Sequence, residues 1–502
     1  MSAPSPILVG VGQVCDREDD LATKREPLAL IEAASRLALD DASCLGLAEQ
    51  IDSVRVVNML SGAAYEDPAS ALAGRLGLPS GERLYTAIGG NAPQWLVNRA
   101  ADDVVGGRRR AVLIGGGEAL QALRLASRAS VALPWTQGRG RAPTTGDDRQ
   151  GSHPDEWQYG LQMPTQIYPL FEVALRAHEH RSPASHHAHL AGLCESLAAV
   201  AARHPQAWFR DGKTAHAIAT LTAANRMIAF PYPKFMTSII DVDQAAAVIV
   251  TTDEHARRLG IPPSRWVYVH GGGEANDLWH LKDRVDFHSS PGMTEAFRQA
   301  LEQADLGANA IAVLDLYSCF PVAPQMAARV LGVPSDGSRA LTVTGGLPYF
   351  GGPGNAYALH AIATMVTRLR EAPDDYGLVS ALGWYFTKHA VGVYGMRPPA
   401  RPWQRADIKQ RQAVIDALDH PTFVVSAEGR GGIETYTVLH DRDGAASEGI
   451  LVIRLDDGRR TFAVTGPDAG LLTALEREEM VGAVGNLTMQ SDGRNGFRVI
   501  GA

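Results

Sequence analysis

Apolar, strand-like runs alternate with helical stretches twice along the chain, and this alternation limits the folds that the chain can adopt. The first series begins with a strand at Ile7 and a helix at Pro27, and it reaches a strand at 111–114. Strands that alternate with helices of about 10 to 15 residues predict βαβ units and a parallel sheet with helices on both faces. A similar series runs from 266 to 394. The sequence therefore predicts an α/β core of two similar halves with a site between them.

Composition predicts a globular protein and argues against several kinds of partner. The 502 residues are 45% hydrophobic, enough to bury the cores of about two to four domains. The net charge of -8 provides no basic surface for nucleic acid. The four cysteines lack CxxC or metal-ligand spacing, so neither a disulfide framework nor a zinc site is predicted. No apolar run approaches the ~20 residues of a membrane span and the N-terminus lacks a signal-peptide pattern, so we expect a cytoplasmic protein.

The stretch from 120 to 235 interrupts the alternation and predicts a helical insertion. Its helical patterns lie around 167–180, 185–204 and 215–227. Five histidines fall on helix ends and a loop there, without an HExxH or carboxylate pattern. We interpret them as a solvated face and not as a metal site: His178, His180, His186, His187 and His189.

The C-terminal part of the chain has a different periodicity. A Pro-rich segment at 397–402 predicts a semi-rigid linker. From about 405 onward, short runs alternate apolar and polar residues with period two, and one helical stretch lies near 469–478. Five short strands joined by tight turns predict a small closed barrel of the OB type. Its aromatic residues fit a core as well as they fit a single-strand nucleic-acid surface: Tyr436, Phe462 and Phe497.

These changes of pattern divide the chain into segments. The predicted boundaries are 1–119 for the N-terminal half, 120–235 for the insertion, 236–262 for the return to the first half, 263–397 for the C-terminal half, 398–404 for the linker and 405–502 for the barrel. The fold class is therefore α/β with a helical insertion and a C-terminal small β-barrel.

Two predicted strand ends carry the residues that best fit a site. The apolar run from Ile311 ends in Tyr317, Ser318 and Cys319. A second predicted strand, at 341–344, leads into a glycine-rich turn. In open α/β sheets, ligands lie beyond the carboxyl ends of parallel strands, so both ends are expected at one pocket. The alternative is a core strand with an ordinary polar exit.

Several motifs in these positions resemble the thiolase superfamily. They are Gly115-Gly-Gly-Glu118, Asp241-Val-Asp-Gln-Ala-Ala-Ala247, Tyr317-Ser-Cys-Phe320, Gly345-Gly346, Gly351-Gly-Pro353 and His389-Ala-Val-Gly392. The resemblance covers roughly residues 5 to 397 and is closest to the sterol carrier protein thiolase branch. With its barrel, the chain is similar to the bacterial thiolase-like proteins of type 1. The resemblance implies a duplicated five-layer α/β/α/β/α core and a coenzyme A thioester as substrate or ligand.

Two residues of the thiolase pattern are replaced. The position of the acyl-accepting cysteine is occupied by Gly89, and the position of the activating histidine by Gly352. Without them, the covalent intermediate and part of its charge stabilisation are lost, each worth several kcal/mol of barrier. The resemblance leaves Cys319, at the acid/base cysteine of the branch, and His389 near the closing loop. We therefore expect a protein of the acetyl-CoA acetyltransferase family by fold, with a degenerate active site and no ordinary thiolase activity.

Three functions remain open from the sequence, and so does the question whether the protein is an enzyme. The first is acyl-CoA handling in lipid metabolism, and the second is non-catalytic acyl-CoA binding or scaffolding. The third is retro-aldol cleavage of a β-hydroxyacyl-CoA, because a clan of thiolase-like aldolases has a tyrosine where Tyr317 stands. The second catalytic tyrosine of that clan aligns near Gly352, so Tyr349 or Tyr357 would have to reach its place.

The resemblance also implies roles for the site residues. Tyr317 is the predicted proton-transfer group, Cys319 the second donor and His389 the partner that orients Tyr317. The alternative is that Tyr317 only fills vacated volume. The predicted substrate-binding residues are Gly345, Gly346, Tyr349, Gly351 and Gly352. No cofactor or metal beyond the coenzyme A thioester is expected, and the protein is expected to be a homodimer by family or a monomer.

Overall fold

The computed structural model describes residues 3–62, 65–136 and 142–500, so the predicted outer boundaries at 1 and 502 lie outside the described residues. The N-terminal half contains β1 (Pro6–Cys15), α1 (Pro27–Asp41), β2 (Ile51–Val56), α2 (Pro68–Leu76), β3 (Glu82–Tyr85), α3 (Ala92–Val105), β4 (Ala111–Ala119) and α4 (Leu120–Ala129). Prolines open α1 and α2, where a missing N–H costs nothing.

The insertion follows this half, and the chain then returns to the core. The insertion contains α5 (Pro154–Trp157), α6 (Pro164–His178), α7 (Pro183–Arg203), α8 (Ala215–Ala219), β5 (Met227–Ala229) and β6 (Tyr232–Pro233). The returning segment forms β7 (Asp243–Thr252) and α9 (Asp253–Arg258). One part of the predicted solvated face is wrong, because His186 is buried with its Nε2 2.8 Å from Glu172 Oε1.

The C-terminal half repeats the order of the first. It contains β8 (Val267–Asn276), α10 (Pro291–Ala304), β9 (Ile311–Asp315), α11 (Val322–Leu331), α12 (Tyr357–Glu371), β10 (Tyr376–Gly383) and β11 (Lys388–Gly395). Ser290 caps α10 by accepting a hydrogen bond from the Met293 amide.

The core strands form one nine-stranded sheet in the order β3-β2-β4-β7-β1-β8-β11-β10-β9. Strands β2, β4, β7 and β1 of the first half correspond in order to β9, β10, β11 and β8 of the second, and the halves join where Ile7 pairs with Tyr268 and Leu8 with Val267. The sheet is mixed and not parallel throughout, since β7 runs antiparallel to β1 and β4. Topology therefore confirms the predicted duplication and corrects the predicted strand direction.

Helices form three layers around the two halves of the sheet. Helices α3 and α12 pack against each other and against strands of both halves, so they form the central layer. Helix α1 covers the outer face of β1, β4 and β7, while α10 covers β8 and β11. The core is therefore the predicted arrangement of five layers, with the start of α3 at its centre.

The predicted strand at 341–344 is wrong, because this segment forms no strand. The carboxylate of Asp315, which ends β9, is fully buried and accepts hydrogen bonds from the Val343 amide at 3.0 Å and the Thr342 hydroxyl at 2.8 Å. The Thr344 amide and hydroxyl donate to the same oxygen. A buried carboxylate must be satisfied in this way, so the backbone wraps around Asp315 and does not extend the sheet.

The C-terminal domain is a closed barrel. It contains α13 (Ile408–Asp416), β12 (Gly429–His440), β13 (Ala446–Leu455), β14 (Arg460–Val464), α14 (Ala469–Arg477), β15 (Val484–Met489) and β16 (Asn495–Val499). The strand order is β13-β14-β16-β15-β12, and pairing of β12 with β13 closes the ring. Tyr436, Phe462 and Phe497 are all buried, so they belong to the core. The predicted barrel is confirmed, and β5 of the insertion pairs with its strand β12.

Candidate functional site

The predicted proton-transfer residues follow β9 and are sealed inside the protein. Tyr317 is 7% exposed and Cys319 is 8% exposed. The Tyr317 amide is held by Ser380 Oγ at 3.0 Å. Burial raises the pKa of Cys319 to about 12 and raises the pKa of the nearby Tyr317 hydroxyl well above its ordinary value. Both groups are therefore neutral near pH 7 and can donate protons but not act as bases.

Aromatic rings close this cluster. Tyr168 of α6 stacks on Phe320 with 4.6 Å between centroids, and its hydroxyl donates to the Trp384 carbonyl at 2.8 Å. The ring of Tyr357 meets Tyr317 edge to face at 5.5 Å. The insertion, the loop between β10 and β11 and helix α12 thus exclude water from the cluster, and this desolvation is the cause of the shifted pKa values.

The two tyrosines that could replace the missing second tyrosine are held elsewhere. The Tyr357 hydroxyl lies 2.6 Å from Thr344 Oγ1, in the network around Asp315. Tyr349 is buried with its hydroxyl beside Cys194 of α7. A side chain at Gly352 would meet Ser238 Oγ and Leu347 instead. Neither tyrosine therefore fills the space next to Gly352.

Gly89, which the resemblance aligns with the nucleophile, lies in the turn before α3. The Gly89 amide donates to Asn355 Oδ1 at 3.0 Å. A Cβ at Gly89 would collide with Asn91 Oδ1 and lie 3.5 Å from Lys388 Cδ. A Cβ at Gly90 would collide with the Tyr317 hydroxyl. The Asn91 side chain therefore occupies the space that a side chain at position 89 would need, and the Tyr317 hydroxyl does the same at position 90.

The predicted glycine-rich contacts are largely used by the protein itself. The Gly352 amide donates to the Ile239 carbonyl at 2.9 Å, and the Gly345 amide to Thr342 Oγ1 at 2.9 Å. Gly346 adopts a φ of 75° beside Ser318, and Gly351 a φ of 105° beside Gln244, which suits residues without a side chain. The amides of Gly345 and Gly352 are therefore not free to hold an oxyanion.

His389 belongs to a different cluster from Tyr317 and Cys319. Its Nε2 lies 3.1 Å from the Phe386 carbonyl and 3.2 Å from Ser290 Oγ, and Ser290 in turn donates to Asp277 Oδ2 at 2.6 Å. Burial lowers the pKa of His389 to about 3, so the ring is neutral. The structure brings Tyr317 and Cys319 together and leaves His389 among Ser290 and Asp277, so the predicted orienting contact with Tyr317 is not made.

Lys388 is the site residue that the sequence reasoning missed. It is 5% exposed, and its Nζ donates to the Ile88 carbonyl at 2.9 Å and the Asp147 carbonyl at 2.5 Å. Lys388 and His389 line a cavity of about 440 Å³ together with Asn91, just before α3, and Trp95 of α3. The sequence could have indicated this residue, because Lys388 and His389 are adjacent polar residues at the start of the otherwise apolar strand β11.

The cavity wall suits an organic ligand better than a metal ion. Ala87, Ala92 and Trp95 provide apolar surface, while the start of α3 provides the positive end of a helix dipole. Among residues 3–62, 65–136 and 142–500, no group of three or more His, Cys, Asp or Glu side chains is placed to hold a metal ion. In the same residues, no helix is both long and apolar enough to cross a membrane.

The duplicated core and the turn before α3 define a protein with the thiolase fold. Two solved structures share that fold: an acetyl-CoA acetyltransferase from Syntrophomonas wolfei (14% identity, TM-score 0.57, 79% of this chain and 100% of that one) and a Ltp2-ChsH2(DUF35) aldolase (18% identity, TM-score 0.58, 78% and 98%). A monomeric SCP2-thiolase like protein type 1 from Mycobacterium smegmatis matches over 100% of both chains at 30% identity and a TM-score of 0.84. The chain belongs to the SCP2-thiolase-like protein type 1 family.

The appended domain agrees with this membership. Residues 411–494 match the sequence profile of the thiolase-like protein type 1 additional C-terminal domain. A comparison with curated protein sequences finds no match. The family predicted from the motifs is confirmed, and so is the fold class.

Proposed function

We propose that this protein binds acyl-CoA thioesters without forming an acyl-cysteine, and that it therefore lacks ordinary thiolase activity. The observation that carries the proposal is the turn at Gly89, where the side-chain oxygen of Asn91 occupies the space that a side chain at position 89 would need. The proposal assigns the protein to lipid metabolism in the cytoplasm, with coenzyme A or its thioesters as small-molecule partners.

The remaining cysteine of the site supports this proposal. Thiolysis and Claisen condensation need a thiolate to attack the thioester. Burial raises the pKa of Cys319 to about 12, so only about one thiol in 10⁵ is ionised at pH 7. Tyr168, on the neighbouring helix α6, also covers this thiol. Cys319 is therefore a poor replacement for the missing nucleophile.

Calorimetry together with a thiolysis assay tests the proposal. The full-length protein is titrated with coenzyme A, acetyl-CoA and longer acyl-CoA thioesters, and is then assayed with acetoacetyl-CoA and radiolabelled acetyl-CoA. We expect heat of binding, no thiolysis and no label on cysteine. Cys319→Ser and Cys44→Ser serve as a matched pair, because Cys44 is half-buried and remote in the outer layer, beside Leu259.

The results separate the possible functions. Acetyl label on Cys319 that is lost in Cys319→Ser would overturn the absence of acyl-cysteine chemistry. The absence of any binding heat would instead favour a scaffold protein that does not bind acyl-CoA.

Retro-aldol cleavage of a β-hydroxyacyl-CoA is the second candidate, and one observation favours it. The Tyr317 hydroxyl reaches Gly90, which follows Gly89 in the turn that a thioester would approach. A structure with the same fold is described as an aldolase, but at 18% identity the likeness extends to the fold alone. The tyrosine could donate a proton to the forming enolate.

A substrate panel tests the aldolase candidate. β-Hydroxyacyl-CoA thioesters are incubated with the parent protein, Tyr317→Phe and Tyr436→Phe, which removes an equally buried hydroxyl in the barrel. The aldolase function predicts cleavage that falls at least about 100-fold in Tyr317→Phe only. Equal turnover in all three proteins, or none in any, removes Tyr317 from a catalytic role.

A further inference from the structure

The cavity beside Gly89 lies where three parts of the chain meet. One wall is the turn from Thr86 to Ala92, the opposite wall is the end of β8 near Glu274, and α13 covers both. Helix α13 is held in place by Gln412, whose side chain exchanges hydrogen bonds of 2.8 and 2.9 Å with the backbone of Asn276. The cavity of about 440 Å³ is large enough for an acyl chain and part of a pantetheine arm.

Lys388 is the nucleophilic group of this cavity. Its amine lies against the carbonyl of Ile88, one residue before Gly89, and its Cδ lies 3.5 Å from the Cβ that a cysteine at 89 would have. A neutral amine has two N–H groups and one lone pair. The carbonyls of Ile88 and Asp147 accept the two N–H groups, so the lone pair is left for a ligand.

We propose that Lys388 accepts the acyl group of an acyl thioester bound in this cavity and becomes a stable amide. This inference rests on the proposed function, because it needs the thioester to bind. It adds a modification site to that function and makes the protein a single-turnover acyl acceptor, in which an amine has taken the place of the missing thiolate.

The reaction balances without another reactant. The Lys388 nitrogen attacks the thioester carbonyl carbon, so a C–N bond forms and the carbonyl oxygen takes negative charge. The C–S bond then breaks, its electron pair leaves with sulfur, and the proton lost by nitrogen ends on the thiolate. The products are an acyl-lysine and free coenzyme A. The positive end of α3, with Asn91 and Ala92 in the cavity wall, favours the transient oxyanion.

The electrostatic surroundings keep part of Lys388 neutral. Burial lowers the pKa of its amine to about 8, with Arg149 acting in the same direction and the carboxylates of Asp147 and Asp148 opposing it. The other titratable groups of the cavity wall are Glu274, His389, Lys409 and Asp416. An amine is nucleophilic only when neutral, so we expect acylation to accelerate up to about pH 8 and then level off.

Peptide mapping after incubation with acetyl-CoA tests the inference. The chain has only six lysines, so each can be followed: Lys24, Lys213, Lys234, Lys282, Lys388 and Lys409. Lys24, Lys213 and Lys282 form ion pairs with aspartates. At pH 8 we expect Lys388 to carry at least about tenfold more acetyl than any other lysine, because an ordinary lysine of pKa about 10.4 is under 1% neutral.

Two variants and one binding measurement make the outcome decisive. Lys388→Arg should remove the labelled peptide, while Lys234→Arg, at an exposed position, should leave it unchanged. Peptide mapping of the parent protein shows whether Lys388 is acetylated preferentially, even if Lys388→Arg fails to fold. If acetyl-CoA binds in calorimetry but Lys388 carries no more acetyl than Lys234, this inference fails and the proposed function stands. If acetyl-CoA does not bind, both fail.

Discussion

Two ends of the C-terminal half of the sheet differ in their access to a ligand. At the end of β9, Tyr317 and Cys319 are closed in by aromatic rings of the insertion and of α12. At the start of β11, Lys388 is slightly more deeply buried than either of them, yet it lines a cavity beside the turn at Gly89. Both ends lie near the centre of the molecule, and both carry groups with shifted pKa values.

The difference shows that burial alone does not identify a reactive group. Desolvation favours the neutral form of every titratable residue. For a thiol or phenol, the neutral form is the unreactive one, and burial raises the pKa of Cys319 to about 12. For an amine, the neutral form is the nucleophile, and burial lowers the pKa of Lys388 to about 8. Desolvation therefore disfavours the reactive form of Cys319 after β9 and favours the reactive form of Lys388 at the start of β11.

Thiol labelling gives the largest expected contrast. At pH 8, Cys319 should react with iodoacetamide about 1000-fold more slowly than an ordinary cysteine, because its pKa of about 12 suppresses the thiolate. Cys44 is half-buried and serves as the internal reference. Mass spectrometry of the folded protein measures both rates. Equal labelling of the two thiols would mean that the cluster at β9 is open.

Asp315→Ala should expose the cluster of Tyr317 and Cys319 after β9 and destabilise the protein. It leaves the Val343 and Thr344 amides and two threonine hydroxyls without their buried acceptor, at a cost of about 3 kcal/mol or more. Urea unfolding measures the loss, and Cys319 should become faster to label. Asp374→Ala is the control, since Asp374 is exposed and forms a surface ion pair with Arg397. Comparable losses in both variants would remove the special role of Asp315.

The pH dependence of the free energy of unfolding tests the lowered pKa of Lys388 at the start of β11. The folded-state pKa of Lys388, about 8, lies below its ordinary value of 10.5. The unfolded chain therefore binds more protons between these pH values, and the contribution of Lys388 to stability rises with pH across that window and is lost as pH falls through 8. We expect the stability of the parent relative to Lys388→Met to rise by about 1 to 3 kcal/mol from pH 7.5 to 10. A difference that is constant with pH would contradict the lowered pKa.

Gln412→Ala should give the smallest effect. The variant removes the two hydrogen bonds that hold α13 over the cavity, which is expected to cost about 1 kcal/mol. Calorimetry should also detect weaker acetyl-CoA binding, by less than about tenfold, because the cavity loses part of its cover. Gln410→Ala, on an exposed position of the same helix, should change neither quantity. Unchanged acetyl-CoA affinity in Gln412→Ala would show that the ligand does not lie under α13.

Much of the fold could be predicted from the sequence because it follows from local patterns. The bounds of α2 follow from its Asp67 cap and its apolar spacing, and those of α3 from its apolar spacing. The five barrel strands follow from their period of two. The motifs also located the turn at Gly89 and the strand end at Tyr317. The prediction of a strand at 341–344 was wrong because the apolar pattern of this segment contains no information on the buried Asp315 carboxylate that it surrounds.

The sequence alone predicted the two halves, the barrel and the residues of interest, namely Gly89 and the titratable Tyr317, Cys319 and His389. Only the three-dimensional packing shows which of these side chains are enclosed and which line a cavity. The reactive state of a side chain depends on solvent and on partners far away in the chain. Tyr168 closes over Cys319, and Ile88 and Asp147 hold the amine of Lys388. These contacts join residues up to 300 positions apart, so no local pattern encodes them.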